Sequence, residues 1–144
     1  MSNKTVLCAV DISNKNSDIG VLQQAARMAA IDDAQLDVIT VVPDFGMSVV
    51  GTFFEPHHHD SMVDEARQRL NEVVAKALGD ETNARVRHLV ATGNAYEQIL
   101  HTAEANNADL IVIGAHKPDF KDYLLGPNAA RVVRHSGCSV YVVR

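Results

Sequence analysis

The sequence has no run of basic residues, no apolar stretch near the length of a membrane span, and only two cysteines. Each shortage removes a class of function. Nucleic acid and anionic membranes are gripped by clustered Lys and Arg. Here 13 basic residues stand against 18 acidic ones, for a net charge of −5, so neither is expected as a partner. A membrane-spanning helix needs about 20 consecutive apolar residues, and none is expected. Cys8 and Cys138 lie in or beside apolar runs without paired spacing. They read as small core residues of a reducing compartment. The opening MSNKTVLCAV lacks the basic segment and long apolar stretch of a secretion signal, so the expected location is the cytoplasm.

What is present describes a globular chain. Hydrophobic residues make up 47% and charged residues 22% of 144 positions, enough for one domain, 1–144, with its own core. Two periodicities alternate along it. TVLCAV at 5–10 is a short, nearly unbroken apolar run, the pattern of a strand covered on both faces. A helix follows, with Ser17 as its N-cap and Ile19, Leu22, Ala25, Ala26 and Ala29 at helical spacing. LDVITVV at 36–42 is the second strand, stopped by Pro43.

Residues 43–60 show no period and hold two glycines, two prolines and the triplet His57-His58-His59. A loop of that length is expected to act as a lid. Ser61 and Asp64 have the spacing of a capping box, opening a helix whose apolar face runs from Val63 to Ala77. RVRHLV at 85–90 alternates apolar with polar residues and reads as an edge strand. Asn94 and Glu97 cap a further helix, DLIVIG at 109–114 is the fourth strand, Gly126-Pro127-Asn128 opens a last helix ended by Gly137, and SVYVV is the final strand. The order β-α-β-α-β-α-β-α-β predicts an α/β doubly wound parallel sheet. Such sheets bind ligands at the carboxyl ends of their strands, where strand order reverses.

The residues that follow the strands are therefore the candidates for chemistry. Asp11, directly after the first strand, can hold a ribose hydroxyl or a magnesium ion, or form a local turn. Gly114 precedes Ala115, His116 and Lys117, and glycine permits a close backbone approach. Gly126 stands at the mouth of a helix, whose free N–H groups suit phosphate. The histidine triplet lacks a partner that would complete a tetrahedral set, so it is not read as a metal site. His116 is a candidate phosphate contact. No nucleophile–base pair and no complete P-loop occurs.

With VDIS after the first strand, VV-Pro after the second and GAHKPDFKDYLLGPNAARVVRHSGCSVYVVR at the end, the chain resembles the universal stress protein family over essentially its whole length. The last 31 residues are the most specific part. The resemblance implies the adenine nucleotide alpha-hydrolase-like fold, with five strands ordered 3-2-1-4-5. It also implies ATP as ligand, with magnesium at Asp11 only together with nucleotide, and a stress-response regulator with at most slow hydrolysis. Carried over, Val41 borders the adenine and Asp11 faces the ribose–phosphate side. Gly114, Gly126 and Asn128 line the phosphates, with Ala9, Val10, Ile113, His116, Lys117 and Pro127 completing the pocket. Nucleotide-binding members carry G-x2-G-x9-G-[ST], and this chain departs from that pattern twice. Lys117 replaces the second glycine with spacing x8, which resembles the short bacterial F/G-type subgroup. Pro127 stands where Ser or Thr is expected, and it removes an N–H and a hydroxyl from the phosphate site.

The competing reading is a stress-family dimer that binds no nucleotide and works through an unidentified protein partner. A phosphorylated receiver domain would need an acid after strand three, where VATGN has none. An ATP-pyrophosphatase would need a Ser-Gly-Gly-type loop after strand one. The final strand, with Val140, Tyr141, Val142 and Val143 apolar on both faces, is an edge that calls for cover, and a homodimer through this strand is expected.

Overall fold

The computed structural model describes residues 3–13, 18–43, 56–115 and 127–144, with the backbone alone for 56–60. Five strands make one parallel sheet: β1 (Thr5–Ala9), β2 (Gln35–Val42), β3 (Arg87–Thr92), β4 (Leu110–Gly114) and β5 (Ser139–Val143). Their order is β3-β2-β1-β4-β5, as the family resemblance implies. The helices are α1 (Ile19–Ile31), α2 (Pro56–Leu78), α3 (Asp80–Asn83), α4 (Ala95–Ala105) and α5 (Pro127–His135).

The central strands are apolar throughout because both faces are covered. Cys8, Val38 and Val112 point to one face and are sealed there by Leu22 and Ala25 of α1 and by Leu70 and Val74 of α2. Leu7, Ile39 and Ile111 point to the other, against Ile99 and Ala103 of α4 and Ala129 and Val132 of α5. Each Val, Leu or Ile side chain so removed from water contributes about 1.5–3 kcal/mol. The two edges are β3 and β5, and their burial falls accordingly to partial.

Two helix ends use the same device. After α1 and α4 the chain enters the left-handed region at Asp33 (φ 51°) and Asn107 (φ 52°). The N–H groups of Ala34 and Ala108 then bond back to the carbonyls of Ala29 and Ala103, each at 2.8 Å. These are Schellman-type ends built on Asp and Asn instead of glycine, and each turns the chain into the next strand.

The sequence reading needs three corrections. α2 begins at Pro56, five residues before Ser61, so the histidine triplet lies on helical backbone and the Ser61–Asp64 capping box does not open it. Proline's fixed φ suits a first helical position, and nothing from 57 to 61 breaks the turn. The remainder of the expected lid, 44–55, lies outside the described residues, as does Ser17. β3 starts at Arg87 rather than at 85, because α3 is extended by turns in which Arg85 and Val86 donate to the Thr82 and Asn83 carbonyls. Asn94 does stand at the N-cap of α4, but its side chain makes no capping bond.

Candidate functional site

Strand order reverses between β1 and β4. The crossovers on the β1 side of this point carry α1 and α2 on one face, and those on the β4 side carry α4 and α5 on the other. In doubly wound sheets the carboxyl ends of the two strands at such a reversal are where ligands bind. Ala9 of β1 stands in register with Ile39 on one side and Ile113 on the other. Val41 packs with them against the α4/α5 face, so Ala9, Ile113 and Val41 share one apolar surface at this end. Val10 is buried on the opposite face, its N–H donating to the Ile39 carbonyl at 3.0 Å.

Asp11 stands two residues beyond the end of β1. Its Oδ1 accepts from the Ser13 N–H at 2.9 Å and from the Ser13 hydroxyl at 2.6 Å, an Asx turn that orients the carboxylate locally. Its backbone N–H donates to Oδ2 of Asp18 at 2.6 Å. Asp18 was not singled out in the sequence, where Ser17 took the capping role. Asp18 does hold the N-cap position of α1, yet it makes no side-chain capping bond to that helix.

Gly114 ends β4 beside this pair. A Cβ there would meet Val21 Cγ2 at 2.9 Å and lie 3.6 Å from Asp18 Oδ1. The glycine thus lets α1 approach the sheet, a packing reason independent of any ligand. Among the described residues the left-handed glycine at this end of the sheet is instead Gly93 (φ 126°), whose N–H donates to the Val42 carbonyl as the chain leaves β3. Beyond Gly114, the Ala115 N–H closes on the Val143 carbonyl at 2.8 Å.

Pro127 is the first residue of α5, and both it and Asn128 are exposed. The first turn of α5 has no acidic residue, while Arg134 and His135 occupy its last, a distribution that complements the helix dipole at its carboxyl end. Arg131 reaches from α5 to lie 4.9 Å above the Tyr96 ring centroid in the first turn of α4, joining the two helices of one face. His116, Lys117 and Gly126 lie outside the described residues. So six sequence-derived candidates, Ala9, Val10, Asp11, Val41, Ile113 and Gly114, come together at the carboxyl ends of β1, β2 and β4.

Burial, and after it the negative charge of Asp18, push the Cys8 thiol up, so this cysteine stays protonated. The sheet's one internal charge lies at the other end. Asp37, fully buried in β2, accepts two parallel bonds from Arg87 of β3, Nε to Oδ1 at 2.7 Å and Nη2 to Oδ2 at 2.8 Å. The bond to Asp37 keeps the guanidinium firmly protonated. A lone acid within LDVITVV was the available signal for this pair. Among the described residues no helix is long and apolar enough to cross a membrane.

Comparison with known proteins agrees with this architecture. A sequence profile of the universal stress protein family matches residues 2–144. Universal stress protein G of Escherichia coli O157:H7 is 31% identical over 148 aligned positions, covering 98% of this chain and 99% of that protein. A universal stress protein solved in complex with cAMP superposes with a TM-score of 0.73 at 20% identity, covering 100% of this chain and 99% of that one. The universal stress protein from Archaeoglobus fulgidus in complex with dAMP gives 0.64 at 18%, with full coverage of both chains. The chain belongs to the universal stress protein family.

Proposed function

We propose that this chain is a stress-response regulatory protein that binds an adenine nucleotide, ATP, at the carboxyl end of its sheet and hydrolyses it slowly at most. The observation that carries the reading is the reversal of strand order between β1 and β4, where Ala9, Ile113 and Val41 form one apolar surface at the carboxyl ends of the strands. An apolar surface beside exposed strand ends suits a flat base and a polar sugar. The cAMP and dAMP complexes of similar folds support an adenine ligand.

In this reading Val41 borders the base and Asp11 faces the ribose. Gly114, Gly126 and Asn128 flank the phosphates, with His116 and Lys117 beside them. Magnesium would enter only with the nucleotide, at the Asp11 carboxylate, which the Ser13 turn already orients. The phosphate end is the weaker one, since Pro127 brings no N–H to the mouth of α5. We propose further that β5 pairs with a second copy. Among the described residues β5 pairs with β4 alone, and Val140 to Val143 are only partly buried.

Calorimetry on the wild type and on Gly126→Val tests the nucleotide site. A β-branched side chain at the mouth of α5 should abolish ATP binding. Unchanged affinity would remove the phosphates from that position.

A further inference from the structure

We propose that Arg131 is a specificity-determining residue of the nucleotide site, a surface cation that favours ligands in proportion to their phosphate charge. The proposal rests on the nucleotide reading above and adds to it a residue and a rule of discrimination. The strands are parallel, and α4 and α5 each lead from the carboxyl end of one strand to the amino end of the next. Both helices therefore start at the carboxyl end of the sheet. Tyr96, the second residue of α4, packs against the cluster that holds Ala9 and Ile113. Arg131, the fifth residue of α5, follows two positions after Ala129, which is buried in that same cluster. Side chains on a helix lean toward its N-terminus, so Arg131 leans toward the carboxyl end of the sheet. Its guanidinium lies 4.9 Å above the Tyr96 ring centroid. A cation thus stands beside the opening turn of α4, on the face where Ala9, Ile113 and Val41 form their apolar surface.

How the guanidinium is held decides what it can do. An arginine fixed by a carboxylate commits its N–H donors to that partner and has its charge offset, as Arg87 does with Asp37. An aromatic face attracts the cation through the ring quadrupole, and it fixes the side chain while leaving the charge and the edge donors open. Among the described residues no carboxylate lies within ion-pair distance of Arg131. Glu97 is the acid beside the ring, and its Oε1 takes the Tyr96 hydroxyl at 3.4 Å. Residues 127–144 hold Arg131, Arg134 and Arg144 and no acid, within a chain of net charge −5. A planar fork of donors matches phosphate oxygens, and Arg131 offers one on the helix whose first residue, Pro127, brings no N–H.

The test is calorimetric titration of adenosine, AMP and ATP, without divalent cation, into wild type, Arg131→Gln, Tyr96→Leu and Tyr96→Phe. Thermal melts verify that each variant is folded. Arg131→Gln keeps a polar side chain and removes the charge. It should weaken ATP on the order of tenfold, AMP less, and adenosine within about twofold, as one unit charge acting through partly screened solvent would. The loss should shrink in high salt. Tyr96→Leu keeps the charge but removes the face that holds it, and should weaken ATP less than Arg131→Gln does. Tyr96→Phe keeps the face and should bind ATP as wild type does. Wild type that binds ATP while Arg131→Gln binds it as tightly, or loses ATP and adenosine by the same factor, overturns this proposal and leaves the nucleotide reading intact. If neither the wild type nor the variants bind any of the three, both readings fall.

Discussion

Replacing Arg87 with alanine should damage the fold far more than its position on an edge strand suggests. Its side chain is 54% exposed, whereas its partner Asp37 is 0% exposed, so the pair is sealed on one side only. Removing one member of a fully buried pair costs about 3–5 kcal/mol, because the other charge is left without compensation. Exposed pairs are worth about 0–1 kcal/mol. Water can reach the space that Arg87 vacates, so the expected cost lies between these limits, about 2–3 kcal/mol. For a chain of this size that is a fall in Tm of roughly 6–9 °C. Arg87→Lys keeps the charge and gives up the two-pronged geometry, and should cost about 1 kcal/mol. Replacing both partners with apolar residues, Asp37→Leu with Arg87→Met, should recover much of the loss, since no charge then remains buried. Urea unfolding of the singles and the double measures all three. Arg87→Ala costing under about 1 kcal/mol would place the pair in the surface class and refute the reasoning.

Other outcomes are expected from the same structure. Gly20 lies in the first turn of α1 with open space where a Cβ would stand, so Gly20→Ala should stabilise by about 0.5–1 kcal/mol in urea unfolding. Gly114→Ala should cost about 1–3 kcal/mol by driving a methyl against Val21, and a thermal melt at wild-type Tm would contradict the packing. His88 donates from Nε2 to Asn83, and burial holds its pKa below the usual imidazole range. The unfolded chain then takes up the proton more readily, so stability is full above about pH 6.5 and is lost as pH falls through the unfolded value toward the lower folded one. His88→Gln should flatten that slope in Tm against pH. Pro127→Ser should restore a donor worth roughly 1–3 kcal/mol at the phosphates and raise ATP affinity more than AMP affinity, and an equal response would remove the phosphate argument. Val142→Lys, or proline at Tyr141, should convert a dimer to monomer in sedimentation, and a dimer indifferent to both would rule out pairing through β5.

The sheet was legible because its central strands carry one kind of information. TVLCAV, LDVITVV and DLIVIG are apolar on both faces, and only strands covered on both faces read that way. Edge β3 was legible as an edge, yet its start was two residues off. The alternation of RVRHLV continues through Arg85 and Val86, which the backbone spends on a turn after α3. The start of α2 was hidden for the opposite reason, since Pro56 and three histidines carry no apolar period although their backbone is helical. At the strand ends, topology singled out Asp11, Val41 and Gly114, whereas Ala9 and Ile113 came from the family resemblance, and parallel register sets those two side by side. Asp18 was not singled out, because a helix-opening acid looks like a cap, and only coordinates reveal that it bonds to the Asp11 N–H beyond β1 instead of to its own helix. Asp37 was missed because an apolar run invites reading its single charge as noise, while its partner lies 50 positions away.

The central claim is tested most directly by titrating ATP into nucleotide-free protein, after first denaturing a purified sample and assaying the supernatant for adenine nucleotide. A chain that seats an adenine at the ends of β1 and β4 should bind ATP with a micromolar dissociation constant, or carry adenine nucleotide through purification. Folded protein that releases no adenine nucleotide and gives no binding heat with ATP, ADP or AMP would contradict it.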